Sequence, residues 1–113
     1  MIPSQLLKGT LEGCILGVIG QKETYGYEIA QKLEGYGFGR IAEGTIYPLL
    51  LRLEKSGRIQ AVYRPSTAGP KRKYYSLTAQ GQADWEIFQR QYRELTQAVA
   101  HLLRDAAPGE ASQ

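Results

Sequence analysis

The residues best placed to do chemistry are cations. Lys71, Arg72 and Lys73 follow a Gly69-Pro70 turn, and a helix-patterned stretch ahead of them ends in Arg52 and Lys55. No nucleophile–base pair or metal cluster competes with them, because the single cysteine, Cys14, and the single histidine, His101, lie far apart. What such cations can do is neutralise a polyanion: lysine and arginine donors meet phosphate oxygens and release counterions. The charge distribution agrees. Residues 40–75 hold eight basic residues against two acidic ones, +6, while the whole chain carries only +3. A charged run of this kind is also what an ordinary solvated hairpin carries, so the surrounding elements must decide.

Those elements are a helix and a hairpin. In Gly44 to Gly57 the apolar residues Ile46, Leu49, Leu50 and Leu53 recur at spacings of three and four and share one buried face. Pro48 is read as standing in the first turn, where its missing N–H costs nothing, so the helix begins near Gly44 and stops at Gly57. Glu54 is placed to pair with Arg58 four residues on. The opposite face carries Gly44, Thr45, Pro48, Leu51, Arg52 and Lys55, with Tyr47 at the margin, and its small residues allow close approach to a major groove. Ile59 to Arg64 and Arg72 to Leu77 alternate as two strands, joined by a turn over Pro65 to Pro70 with Lys71 and Arg72 near the tip. Helix, hairpin and basic turn in this order predict a winged helix-turn-helix on double-stranded DNA.

The residues that carry this pattern resemble a known family. Gly44, Ile46, Tyr47, Pro48, Leu50, Arg52, Leu53, Glu54 and Gly57, followed by Gly69, Pro70, Arg72, Lys73, Tyr74, Tyr75, Leu77, Thr78 and Gly81, look like the signature of PadR-type bacterial transcriptional regulators. Tyr25, Gly26, Tyr27, Glu28 and Ile29 match the family's second helix, and the resemblance covers about residues 5 to 104, with the short C-terminal helix of one subgroup. Ile46 stands where leucine is more usual, and Leu51 is apolar where many members are polar. The resemblance implies a transcriptional regulator and makes a flat, apolar effector between subunits credible.

The remaining chain supplies the scaffold. With 113 residues, 42% of them hydrophobic, there is material for one modest core and no separate catalytic domain, so an enzyme is not expected. Neither a secretory signal nor an apolar run of about 18 residues is present, which predicts a cytoplasmic protein without membrane contact. No cofactor is expected, and Cys14 reads as a small buried hydrophobe. Ser4 caps a first helix reaching Ile19, whose wide apolar face, with Leu7 and Leu11, meets two neighbours, one of them a partner subunit. Thr24 caps a second helix with Tyr25, Ile29 and Leu33 inward; Gly35, Gly37 and Gly39 form the link that follows, where Phe38 and Ile41 tuck into the core.

Thr78 opens the last helix, which runs to about Arg104. Trp85, Phe88, Tyr92, Leu95, Val99 and Leu102 stand three or four apart along it and form a heptad seam longer than the domain can cover, so a second copy is expected to complete it. The organisation predicted is mainly α with a small β-hairpin: a winged helix-turn-helix over 1–77, a C-terminal dimerisation helix over 78–104 and a disordered tail over 105–113. Gly44, Thr45, Tyr47, Pro48, Arg52, Lys55, Lys71, Arg72 and Lys73 are the DNA-binding candidates. Tyr47 either donates to a phosphate or packs its ring sideways; Arg52 reads a guanine, holds a phosphate or pairs within the protein. Trp85, Phe88 and Tyr92 either pack a core or line a site for a small aromatic effector. The function predicted is a homodimeric repressor on a palindromic operator. A winged-helix module for an acidic protein partner is the rival, kept open by the outward Leu51.

Overall fold

The computed structural model describes residues 2–106. A single helical turn, α1 (Ser4–Leu7), precedes α2 (Leu11–Gln21), β1 (Thr24–Tyr25), α3 (Gly26–Leu33), α4 (Glu43–Lys55), β2 (Ile59–Ser66), β3 (Gly69–Leu77) and α5 (Ala79–Asp105). The three strands form one antiparallel sheet in the order β1-β3-β2. The fold is a winged helix followed by a long C-terminal helix.

The core forms where α2, α3 and α4 converge on the sheet. Ile15, Ile19, Ile29, Leu33, Ile46, Leu50 and Ile59 are fully buried, with Phe38, Ile41 and Leu49 packed around them. The periodic face of α4 therefore lies inward as its spacing requires. Its end is fixed by Gly57, whose φ of +80° suits a residue without Cβ. There the Arg58 N–H reaches the Leu53 carbonyl (2.9 Å) and the Gly57 N–H the Glu54 carbonyl (3.1 Å), a Schellman closure. Thr78 joins this end to α5: its hydroxyl donates to the Gly57 carbonyl (2.6 Å) and accepts from the Gly81 N–H (3.1 Å).

Four expectations are corrected. The first helix is not continuous: Gly9 takes a φ of +93° and the Thr10 hydroxyl bonds the Leu7 carbonyl (2.8 Å), so the chain turns before α2 begins. Thr24 does not cap α3 but belongs to β1, where it is fully buried and donates to Glu28 (2.5 Å); Tyr25 is the residue that precedes the helix. Pro48 lies beyond the first turn, since α4 starts at Glu43; the hydrogen bond it cannot make would have gone to Gly44, on the same exposed face, where solvent can serve the carbonyl. The hairpin turn is only Thr67 and Ala68, with Ser66 opposite Gly69; Pro65 sits in the irregular register between Arg64 and Ser66, where β2, an edge strand, has no register partner for it.

The helix α5 begins on the protein and leaves it. Trp85 and Phe88 press on Gly17 and Gly13 of α2, one helical turn apart, where a Cβ would overlap either ring. From Arg90 to Ala106 every residue is exposed, and the molecule measures 64 × 28 × 20 Å. Of the expected tail, Asp105 ends α5, and residues 107–113 lie outside the described residues.

Candidate nucleic-acid interface

The outer face of α4 presents Gly44, Thr45, Tyr47, Pro48, Leu51, Arg52 and Lys55 to solvent. A Cβ at Gly44 would meet nothing within 4 Å, so the backbone there is open to close approach. Tyr47 packs its ring on the first residue of α3: a Cβ at Gly26 would come within 2.7 Å of that ring, so the glycine is what admits it. Tyr47 stays half exposed; its ring packs sideways, one of the two sequence readings, and its hydroxyl too lies close over Gly26.

Between α4 and the wing runs a groove of 450 Å³. Tyr47 and Leu51 form its helix side, Lys71, Arg72 and Lys73 its wing side, and Tyr25, Gly26 and Tyr75 its floor. It opens where β1 ends: β1 pairs only with Tyr74 and Tyr75, so the rest of β3 toward the tip has no strand on that side.

The cations around it divide by what holds them. Arg52 is paired with Glu12 of α2 at 2.7 Å, the internal option of the three its position allowed, and this partner holds its guanidinium more firmly protonated. Lys73 bonds Glu54 at 2.7 Å, which raises its pKa above the ordinary lysine range. Glu54 therefore serves the wing and not Arg58, which pairs with Asp84 instead, because the left-handed turn at Gly57 carries Arg58 away from α4. Arg64 is held by both carboxylate oxygens of Glu23, at 2.7 and 3.0 Å. By contrast Arg72 lies over the Tyr25 ring, 4.5 Å from its centre, and among the described residues no carboxylate pairs with Arg72, Lys71 or Lys55. Sequence reasoning missed Glu12, Glu23, Tyr25 and Gly26 as parts of this surface. Gly26 seats the ring of Tyr47, which is distant in the chain, and the carboxylate pairs join residues 40 and 41 positions apart, so no local pattern announced them.

The other expected surfaces lie elsewhere. Leu11 is only 8% exposed and belongs to the protein's own core, while Leu7 is half-buried beside it. Trp85, Phe88 and Tyr92 form a stacked ladder with centres 6.0 and 5.7 Å apart, its first two rings on α2 and its third in solvent. Tyr92, Leu95, Val99 and Leu102 are exposed along one seam. A second cleft of 740 Å³, between the N-terminal segment and the start of α4, is floored by Leu7, Leu11, Phe38, Ile41 and Leu49. Burial raises the Cys14 thiol pKa. Among the described residues no three His, Cys, Asp or Glu side chains gather as for a metal, and no helix is long and apolar enough to cross a membrane.

Known proteins share this arrangement. A family described as transcriptional regulator PadR-like matches residues 15–87. A transcriptional regulator from Streptococcus is 51% identical, covers 88% of this chain with 98% of its own, and superposes with a TM-score of 0.78. A PadR-like transcriptional regulator from Bacillus cereus is 47% identical over 88% of this chain and 96% of its own, with a TM-score of 0.79. The structure of Bacillus subtilis PadR in complex with operator DNA matches 72% of this chain and 47% of its own, at 25% identity and a TM-score of 0.66. With the family pattern running from α2 into α5 on a winged helix that superposes on these regulators, the chain belongs to the PadR-like family of transcriptional regulators.

Proposed function

We propose that the chain binds double-stranded DNA as a homodimeric repressor in the cytoplasm, with the outer face of α4 in a major groove and the wing on the flanking backbone. The observation that carries this reading is the groove between α4 and β3. Its helix side, Tyr47 and Leu51, carries no charge, and among the described residues two of its wing-side cations, Lys71 and Arg72, have no carboxylate partner. Membership in a regulator family, and a relative whose structure is a complex with operator DNA, support it. The dimer rests on α5: a seam from Tyr92 to Leu102 standing wholly in water is a contiguous apolar strip on a helix of 27 residues, and a two-fold copy covers it most economically.

Two recognition helices would then meet half-sites about one helical turn, ~34 Å, apart. Selection of bound sequences from a random duplex pool tests both claims, with an inverted repeat expected. Enrichment of a lone half-site would remove the dimer, and no enrichment would remove DNA. The second outcome would favour the rival reading, a docking module for another protein, which Leu51, 51% exposed at the centre of the outer α4 face, recommends. The Trp85–Phe88–Tyr92 ladder is the proposed effector wall. Because Trp85 is the sole tryptophan, titration with planar aromatic compounds followed by its fluorescence tests that part, and an unchanged signal would leave the ladder as packing alone.

A further inference from the structure

The outer face of the sheet carries a layer of alternating cations and rings that no sequence pattern announced. Tyr25 and Tyr74 are register partners on β1 and β3, and their rings meet edge to face at 5.3 Å. Arg64 and Arg72 are register partners on β2 and β3. Two like charges directly opposite one another repel, so they must diverge. Arg64 reaches over Tyr74 (5.8 Å) to the Glu23 carboxylate, which takes up its charge. Arg72 turns the other way and settles on the face of Tyr25, its diagonal neighbour, at the floor of the groove beside α4.

The two partners do different things to an arginine. A carboxylate satisfies the donors and cancels the charge. A ring face attracts the cation through its quadrupole but leaves the charge in place and the N–H groups on the guanidinium edge unoccupied. An arginine so held has given up part of its rotamer freedom before any ligand arrives, and that entropy need not be lost again on binding.

We propose that Tyr25 is a positioning residue for DNA binding: its ring, buttressed by Tyr74, holds Arg72 charged and pre-aimed at a phosphodiester that enters the groove between α4 and the wing. Glu23 completes the device by drawing Arg64 away, so that the site presents one arginine and not two. The inference rests on the DNA-binding reading above and deepens it.

The test is a double-mutant cycle on the purified full chain, read as affinity for a duplex carrying the selected operator at several salt concentrations, with circular dichroism as the fold control. Tyr25→Leu should weaken binding about three- to fivefold per half-site, about ten- to twenty-five-fold over two, with the salt slope unchanged because Arg72 keeps its charge. Tyr25→Phe keeps the ring face and should bind within about twofold of the natural chain. In an Arg72→Ala background, Tyr25→Leu should cost less than about twofold, since nothing remains to position. A structural role for Tyr25 would instead carry its full loss into that background, and this outcome overturns the proposal. Arg72→Lys, on an exposed strand, provides a second arm should Tyr25→Leu not fold: it keeps the charge but not the planar stack, and must lose several-fold in affinity at an unchanged slope. Natural-level binding by Arg72→Lys refutes positioning while leaving DNA recognition intact; failure of the natural chain to bind any duplex removes both.

Discussion

Replacing Lys71 and Arg72 together with alanine removes wing cations that have no anionic partner among the described residues, and the consequence can be worked out. In the proposed dimer, two such cations per chain make four phosphate contacts on one duplex, so at about 0.9 per contact the slope of log affinity against log salt should become shallower by about 3.6. Over a rise from about 50 to 200 mM salt, the natural chain should then lose about 150-fold more affinity than the variant. The control is a charge-neutral deletion of equal size, Glu23→Ala with Arg64→Ala, which removes a cation already satisfied by two carboxylate contacts. Its slope should match that of the natural chain. Fluorescence anisotropy of a labelled operator duplex at four salt concentrations gives all three slopes. Flattening by about 1.8 in Glu23→Ala/Arg64→Ala, one contact per chain, would refute the division of cations by their partners, because it would mean that Arg64 leaves Glu23 to join the phosphates. No flattening by Lys71→Ala/Arg72→Ala would refute the wing assignment altogether.

Two further outcomes follow from the packing. Gly81, in the first turn of α5, is buried so closely under Arg58 that a Cβ would overlap the Arg58 carbonyl, and that carbonyl also takes the Thr78 N–H at 3.1 Å. Gly81→Ala should therefore cost about 1–3 kcal/mol and lower the thermal midpoint by at least about 4 °C, against a rise or no change for a glycine that merely ended a turn. Cys14 is half-buried and its thiol pKa is raised by desolvation, so at any pH its thiolate fraction lies below that of an exposed cysteine. Alkylation by iodoacetamide should be slow at pH 8 and rise along a curve displaced to higher pH; a rate equal to that of a free thiol would show that α2 does not shield it.

The parts legible in the sequence were those set by local period and by single conformational demands. The inward face Ile46, Leu49, Leu50 and Leu53, the left-handed stop at Gly57, and the uncovered seam on α5 each follow from neighbours within a turn or two. A two-residue strand such as β1 has no period to read, and Thr24 looked like a helix cap because threonine serves both purposes. The ion pairs were hidden for a different reason: Glu12 and Glu23 lie far along the chain from Arg52 and Arg64, and only the packing of α2 and β1 brings them close. Those pairs change the site itself. The sequence offered an internal partner only to Arg52, as one of three options, and to Arg58, yet Arg52, Arg64 and Lys73 are all committed to carboxylates while, among the described residues, Lys71 and Arg72 are not. The glycines of α2 carried a similar hidden role, as seats for Phe88 and Trp85.

The central claim is that two chains joined along α5 grip one duplex at two symmetric places. The molar mass of the complex formed with an operator duplex in dilute salt, by sedimentation or light scattering, tests it most directly. Two chains per duplex, assembled from a protein that is already a dimer without DNA, is the predicted result. A single chain on the duplex, or a chain that stays monomeric and leaves the DNA free, would contradict it.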